Sequence, residues 1–402
     1  MDEHTDILIV GGGLVGASLA IALDAAGCRA TMVEASVPRA DAQPRHDERN
    51  LALARASVNG LRALGVWSNA DAHATPIRHI HVSRAGEFGA TRLSAERFGV
   101  EALGWTLPAS QLGAALTARL QACTQLVRHA PAKVETVIRE ADGWCVRISE
   151  NGQEREVHTR LLVGADGSHS MVREQLGIAA DTYDYEQTLF VATVTPERAP
   201  DGRAFERFAD AGPIALLPLA GGQAGLVLTV ASDQADAVAA LSADDFLALA
   251  QQRFGWRLGH LTRSGRRFRH AIQRIAAQAL TAPRAVLVGN AAQTVHPVGA
   301  QGFNLGLRDA LTLAELVAGA DDPGNPDLLD TYAARRAPDR EGVMAMSHGL
   351  IRLACLEQPW LAPLRTLGLL AFDRLPPLRH AMARRGMGFR GQPPRDVLEK
   401  RP

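Results

Sequence analysis

The sequence predicts an α/β fold in which a Rossmann-type nucleotide-binding domain is interleaved with a second, mixed-sheet domain and followed by C-terminal helices. Three observations predict it. The chain opens on a strand, a glycine turn, a helix and a second strand between Thr5 and Glu34. A strand-rich middle runs from about Tyr183 to His270. A strand and helix of nucleotide-fold type, Ala285–Val288 and Gly306–Val317, then return after it. Pieces of one fold on both sides of another imply interleaved domains, and no internal repeat or low-complexity linker interrupts them.

Each element follows from local pattern. Thr5–Val10 is a short apolar run leading into Gly11-Gly12-Gly13-Leu14-Val15-Gly16 and a helix over Ala17–Ala26. Arg29–Val33 is the second strand, ending at Glu34. Leu51–Leu64 reads as a helix closed by Gly65. Ile77–Val82 and Gly89–Leu93 read as strands of a different sheet, and Ser110–Cys123 as a helix. Leu126–Ile138, Trp144–Ser149 and Glu154–Val163 read as strands, the last running into Gly164-Ala165-Asp166-Gly167. In the middle, one helix is expected near Ala243–Phe254. Beyond Asp327 the chain is helical, punctuated by Pro338, Pro359, Pro363 and Pro376-Pro377.

Composition excludes several classes. The 402 residues carry 43 basic and 43 acidic side chains, so no global charge argues for nucleic acid. Only Lys133 and Lys400 are lysines, so the abundant arginines reflect compositional bias and single arginines carry little weight. Four separated cysteines (Cys28, Cys123, Cys145, Cys355) argue against a disulfide framework or zinc ribbon and fit reduced thiols in a cytoplasm. His79-Ile80-His81 lacks a third ligand, so no metal is expected. Ser168 and Ser170 lack a nucleophile-elbow context. The acidic start at Asp2-Glu3 does not suit a signal peptide. Ala211–Ser232 has 22 uncharged residues, but its prolines and glycines favour a hairpin of Ile214–Ala220 and Gly225–Ala231 over a membrane span.

Gly11, Gly13 and Gly16 satisfy GxGxxG in the required context, after a strand and opening a helix. The first permits the turn, the second lets a pyrophosphate approach the backbone, and the third allows close helix–strand packing. The phosphate would then lie on unpaired N–H groups at the helix N-terminus. Glu34, at the end of the second strand, is placed to accept ribose hydroxyls. This motif alone does not separate FAD from NAD.

Three further segments do. Leu162-Val163-Gly164-Ala165-Asp166-Gly167-Ser168-His169-Ser170-Met171-Val172-Arg173 resembles the Asp-Gly motif of class A flavoprotein aromatic monooxygenases, the p-hydroxybenzoate hydroxylase type. Arg284–Asn304, with Val288-Gly289-Asn290 and His296-Pro297, resembles their second FAD motif. Asp47-Glu48-Arg49 resembles the segment whose arginine reaches the flavin cofactor's phosphates. His296-Pro297 followed by Gln301-Gly302-Phe303-Asn304-Leu305-Gly306-Leu307-Arg308-Asp309 is similar to the ubiquinone-biosynthesis branch, the 2-polyprenyl-6-methoxyphenol hydroxylases. Three departures stand out: Asn290 replaces the usual Asp, Gln293 a frequent His, and Val298-Gly299-Ala300 the usual Ile-Ala-Gly.

The resemblance implies a Rossmann-type FAD-binding domain over 1–75, 106–180 and 271–325. It implies a mixed-sheet substrate domain over 76–105 and 181–270, and a C-terminal helical region over 326–402. It implies an FAD-dependent monooxygenase using NAD(P)H or another donor and O2, in which oxygen adds at flavin C4a and passes to the ring of a polyprenylated phenol. Gly11, Gly13, Gly16 and Glu34 would hold the ADP half, and Arg49, Asp166 and Asn290 the pyrophosphate and ribityl. Pro297, Gly302 and Asn304 would line the isoalloxazine as the catalytic set, and Gln111 would also reach the cofactor. Tyr183 or Tyr185 could touch a phenol, but both read rather as packing residues. The segment from Ile351 to Pro402 carries ten basic and four acidic residues among leucines, a pattern suited to an anionic membrane surface or to packing on the body. That allows a cytoplasmic protein peripheral on the inner face of the cell membrane, in contact with a ubiquinone-biosynthesis complex. A hydroxylase of a soluble or antibiotic-like phenol, and a non-catalytic flavin-bound subunit, remain open readings.

Overall fold

In a computed structural model, residues 3–36, 50–355 and 362–398 are described. Glu3–Val10 lies inside the first sheet, parallel to Gln153–Gly164 on one side and Ala30–Val33 on the other. Leu126–His129 and Ala285–Leu287 extend the parallel run. Ile7 to Val10 are all buried, as expected for a parallel strand covered on both faces. Because the chain continues to one side of this strand first and returns later on the other, the order switches at its C-terminal end. That end is where ligands bind in open α/β sheets, and here the Gly11–Gly13 and Gly164–Asp166 turns meet.

Among the described residues, the second sheet has nine strands and is antiparallel apart from the parallel pair Arg203–Phe208 and His79–Arg84. One face packs Phe190, Leu216 and Leu228 against Phe246 and Phe254 of the helix Ala243–Phe254. The other face carries Val82, Tyr185, Leu189, Val191, Phe208 and Val227, and Phe208 meets Val298 of the first domain. A small third sheet joins Asn50–Ala54, Gly104–Pro108 and Thr75–Ile77.

The structure revises several elements. Leu51–Leu64 is not one helix: Asn50–Ala54 is a strand and the helix is Arg55–Ala63. Pairing with Gly104–Pro108 overrides the helical periodicity, and bare Gly104 admits the Leu53 carbonyl. Leu126–Ile138 divides into Leu126–His129 and Ala132–Arg139 around Pro131, which has no N–H to give a ladder. The helix expected from Gly306 starts earlier, at Gln301, so Gly302 and Asn304 lie in its first turn. Pro338 does not punctuate: it sits inside the single helix Pro326–Cys355. The uncharged stretch forms the strands Ile214–Pro218 and Ala224–Ala231, paired antiparallel. Among the described residues, no helix is long and apolar enough to cross a membrane.

Candidate functional site

Gly11 leaves the first strand with φ +106° and donates its N–H to Val33 O at 2.9 Å, tying the turn to the second strand. A Cβ on Gly16 would stand 1.9 Å from Gly11 O, so turn and helix meet backbone to backbone there. Gly13 caps the helix Leu14–Ala25, and a Cβ built on it would find no heavy atom within 4 Å. The first turn holds no acidic residue, leaving its N–H groups for an anion. Glu34 lies beside this turn: Oε2 accepts from Gly12 N–H at 2.6 Å and Oε1 from Ser36 N–H at 2.8 Å. Gln111 is half-buried in the first turn of the helix Ala109–Leu120, which packs on Leu14–Ala25. Arg49 lies outside the described residues.

Ser170 caps the short helix Met171–Gln175, its hydroxyl accepting from Arg173 N–H at 3.0 Å, and Asp166 accepts from Val172 N–H at 3.1 Å and from the Ser170 hydroxyl. Arg173 then stitches this loop to the second motif, donating to Ser168 O at 3.1 Å and Ala291 O at 2.9 Å. Asn290 stands exposed just beyond the strand Ala285–Leu287. Pro297 opens a tight turn in which Gly299 (φ +68°) and Ala300 (φ +49°) are both left-handed. The departure from Ile-Ala-Gly therefore leaves an alanine where a glycine would be relaxed, at about 1 kcal/mol. Gly302 has open space before it. The amide of Asn304 is engaged with backbone: Oδ1 accepts from Ala54 N–H at 2.8 Å, and Nδ2 donates to Ala52 O and Ala300 O. Its side chain fixes the turn against the strand Asn50–Ala54.

A buried ionic network supports the second motif. Asp309 accepts from Gly289 N–H (3.1 Å) and Gln293 Nε2 (2.7 Å) through Oδ2, and from Arg336 (2.7 Å) through Oδ1. Asp339 accepts from Arg308 at 2.7 Å and Arg336 at 2.9 Å. Gln293 accepts from Arg340 at 2.9 Å, so its two-ended amide bridges a carboxylate and a guanidinium. Burial alone would raise the Asp339 carboxyl, but Arg308 and Arg336 hold it below the usual range. Arg173 and Asp309 stood in the sequence only as motif residues without a role, because their partners lie far away in the chain. The only signal was an ionisable residue inside a glycine motif.

Beside Pro297 the surroundings are apolar and aromatic. Val298, Phe208 and Ile351 pack with Val82 and Tyr185. The Tyr185 and His296 rings meet edge-on at 4.8 Å, and the Tyr185 hydroxyl hydrogen-bonds His348 Nδ1 at 3.1 Å. Burial, with His348 nearby, lowers His296 to about 4, so it is neutral at pH 7. Tyr183 and Tyr185, read from sequence as packing residues, belong to this cluster. The three donor groups of Glu140, Cys145 and His158 come within 4.8 Å on the antiparallel ribbon, away from the glycine loops.

The residues present fit FAD. The space at Gly13 is a cradle that a Cβ would fill, the helix behind it offers free N–H groups, and Asn290 presents an amide beyond the strand end. Gln301 Oε1 is buried without a partner among the described residues, at the N-terminus of the second helix.

Comparison with known proteins agrees. A family model described as FAD binding domain matches residues 4–347. The chain is 37% identical over 392 residues to a ubiquinone hydroxylase, UbiL, of Rhodospirillum rubrum, covering 96% of this chain and 90% of that one. It is 30% identical over 404 residues to 3-demethoxyubiquinol 3-hydroxylase of Escherichia coli, covering 96% and 100%. The p-nitrophenol 4-monooxygenase PnpA of Pseudomonas putida shares the fold at TM-score 0.79 and 17% identity, over 97% of this chain and 99% of that one. The chain belongs to the FAD binding domain family, and is a class A FAD-dependent aromatic monooxygenase related to the ubiquinone hydroxylases.

Proposed function

We propose that the protein hydroxylates the aromatic ring of a polyprenylated phenol in ubiquinone biosynthesis, with NAD(P)H as reductant and O2 as co-substrate. The observation that carries the reading is the similarity to ubiquinone hydroxylases over nearly the whole chain. The apolar sheet face of Leu189, Val191, Val227 and Ile272, which shares Tyr185 with the cluster around Val298, supports it as a wall for ring and tail. FAD, when bound, supplies the activation of oxygen, and the side chains position and exclude water. Gly11, Gly13, Gly16, Glu34 and Arg49 bind the ADP half and phosphates, with Gln111 nearby. Asp166 and Asn290 hold the ribityl side. Pro297 and Gly302 offer backbone to the ring system, and Asn304 fixes that turn. In a strain lacking the protein, quinone profiling by mass spectrometry should show an under-hydroxylated polyprenylphenol and depleted ubiquinone. Unchanged ubiquinone overturns the pathway assignment and favours a soluble phenol.

Membrane contact fits the same reading. Helix Ala362–Arg374 packs on the edge strand Ala90–Ser94, Thr91 Oγ1 donating to Leu369 O at 2.9 Å. Its outer side leaves Leu364 (58%) and Leu367 (61%) exposed, with Leu375 and Phe88 beside them and Arg374 at their edge. An apolar ridge with Arg374 at its edge would suit an anionic bilayer surface, which supports a peripheral position on the inner face of the membrane. The protein should float with phosphatidylglycerol vesicles in about 0.1 M salt. The double variant Leu364→Glu, Leu367→Glu should lose flotation while keeping its FAD. Wild-type protein that stays off these vesicles overturns the membrane assignment.

A further inference from the structure

Strand Arg203–Phe208 alternates cleanly. Phe205 faces the helix-covered core, its ring 5.5 Å from that of Phe254. Glu206 and Phe208 face the opposite way, and Phe208 packs on Val298 and Ile351 beside Pro297. Register fixes the row in which Glu206 stands: Val82 and Ala215 flank it, followed by Val227 and Val191. One carboxyl therefore interrupts a row of aliphatic residues on the sheet face that carries Phe208.

No hydrogen bond or ion pair holds that carboxyl among the described residues. The side chain is half-buried, with much protein around its carboxyl. Burial pushes it up to about 8, so it is mostly protonated at neutral pH and able both to donate and to accept. Charged and titratable groups on the elements around it include Arg84, Tyr185, Arg274, His296, His348 and Arg352. Arg84 is committed to Glu87 at 3.1 Å and to Asp210. Tyr185 and His348 are committed to each other. A half-buried carboxyl with no partner in the chain is open to a hydrogen-bonding group from outside it.

We propose that Glu206 hydrogen-bonds the ring hydroxyl of the bound phenol and thereby sets which ring carbon faces the Pro297–Val298 turn. The inference rests on the phenol-hydroxylase reading and adds to it the residue that recognises the hydroxyl. Aliphatic walls hold ring and tail without orientation; a single carboxyl in the row supplies it.

Calorimetric binding of 2-(3-methylbut-2-enyl)phenol and of its O-methyl ether to the FAD-loaded protein tests this. Wild type should prefer the phenol by about tenfold or more, the effect of one hydrogen bond to an ionisable group. Glu206→Leu should bind both within about twofold of each other, with FAD content unchanged and Tm equal or higher, since an unpartnered carboxyl is removed. Glu206→Gln should keep most of the preference but lose the inflection near pH 8 in phenol affinity. An unchanged preference in Glu206→Leu overturns the proposal, as does an unchanged inflection in Glu206→Gln. Wild type that binds both probes equally overturns it alone; wild type that binds neither overturns the phenol reading as well.

Discussion

Gly13→Val should purify folded and colourless. Gly13 has φ −63° and ψ −176°, a conformation open to any L-residue, and no heavy atom lies within 4 Å of the Cβ position. The fold therefore tolerates the side chain. The space it fills is the one in front of the unpaired N–H groups of Leu14–Ala25, where a diphosphate has to approach. Losing two charge-assisted hydrogen bonds at about 1.5–3 kcal/mol each corresponds to at least a hundredfold weaker FAD binding. The ratio of flavin to protein absorbance, with circular dichroism as the folding control, measures it. Gly16→Val is the contrasting case: its Cβ would lie 1.9 Å from backbone Gly11 O, so it should fail to fold. A yellow Gly13→Val protein would place the cofactor elsewhere.

The difference between these two glycines marks what the sequence could disclose. GxGxxG, Glu34 and the Asp166 loop were legible because a sharp turn before a helix is dictated by neighbours in the chain. So was the hairpin of Ile214–Pro218 and Ala224–Ala231, punctuated by its own glycines. Asn50–Ala54 was not, because its strand state depends on pairing with Gly104–Pro108 some fifty residues away. Glu206 looked like any strand carboxylate; only the register with Val82 and Ala215 shows that it shares the sheet face of Phe208. Asn304 belongs to the second motif, yet its amide is spent on Ala52, Ala54 and Ala300. Motifs mark where backbone meets cofactor. They do not say which side chains are left free.

Asp309→Ala should show the second large effect, on fold and flavin together. Asp309 is 2% exposed and answers three donors, Gly289 N–H, Gln293 and Arg336. With Asp339 it neutralises two buried guanidiniums, Arg308 and Arg336. Removing one partner of a buried pair leaves an uncompensated charge, at about 3–5 kcal/mol against a total stability of about 5–15. It also frees the Gly289–Asn290 turn, so the flavin should dissociate well below the unfolding temperature. Asp309→Asn separates the two consequences. It keeps acceptor oxygen for Gly289 but loses the charge, so it should retain more FAD than Asp309→Ala while still unfolding earlier than wild type. The acid limb gives an independent check on the network. Asp339 is held below the usual carboxylate range by Arg308 and Arg336, against the upward push of burial. Its contribution is therefore fully present above the ordinary carboxylate pKa and lost as pH falls through the lower, folded-state value. Urea midpoints measured from pH 7 downward should fall through that window in wild type. In Asp309→Ala one guanidinium fewer is matched, Asp339 carries both, and the fall should shift to still lower pH. A fall that does not move would mean that the two carboxylates act independently, and that Gly289 is held by something other than this network.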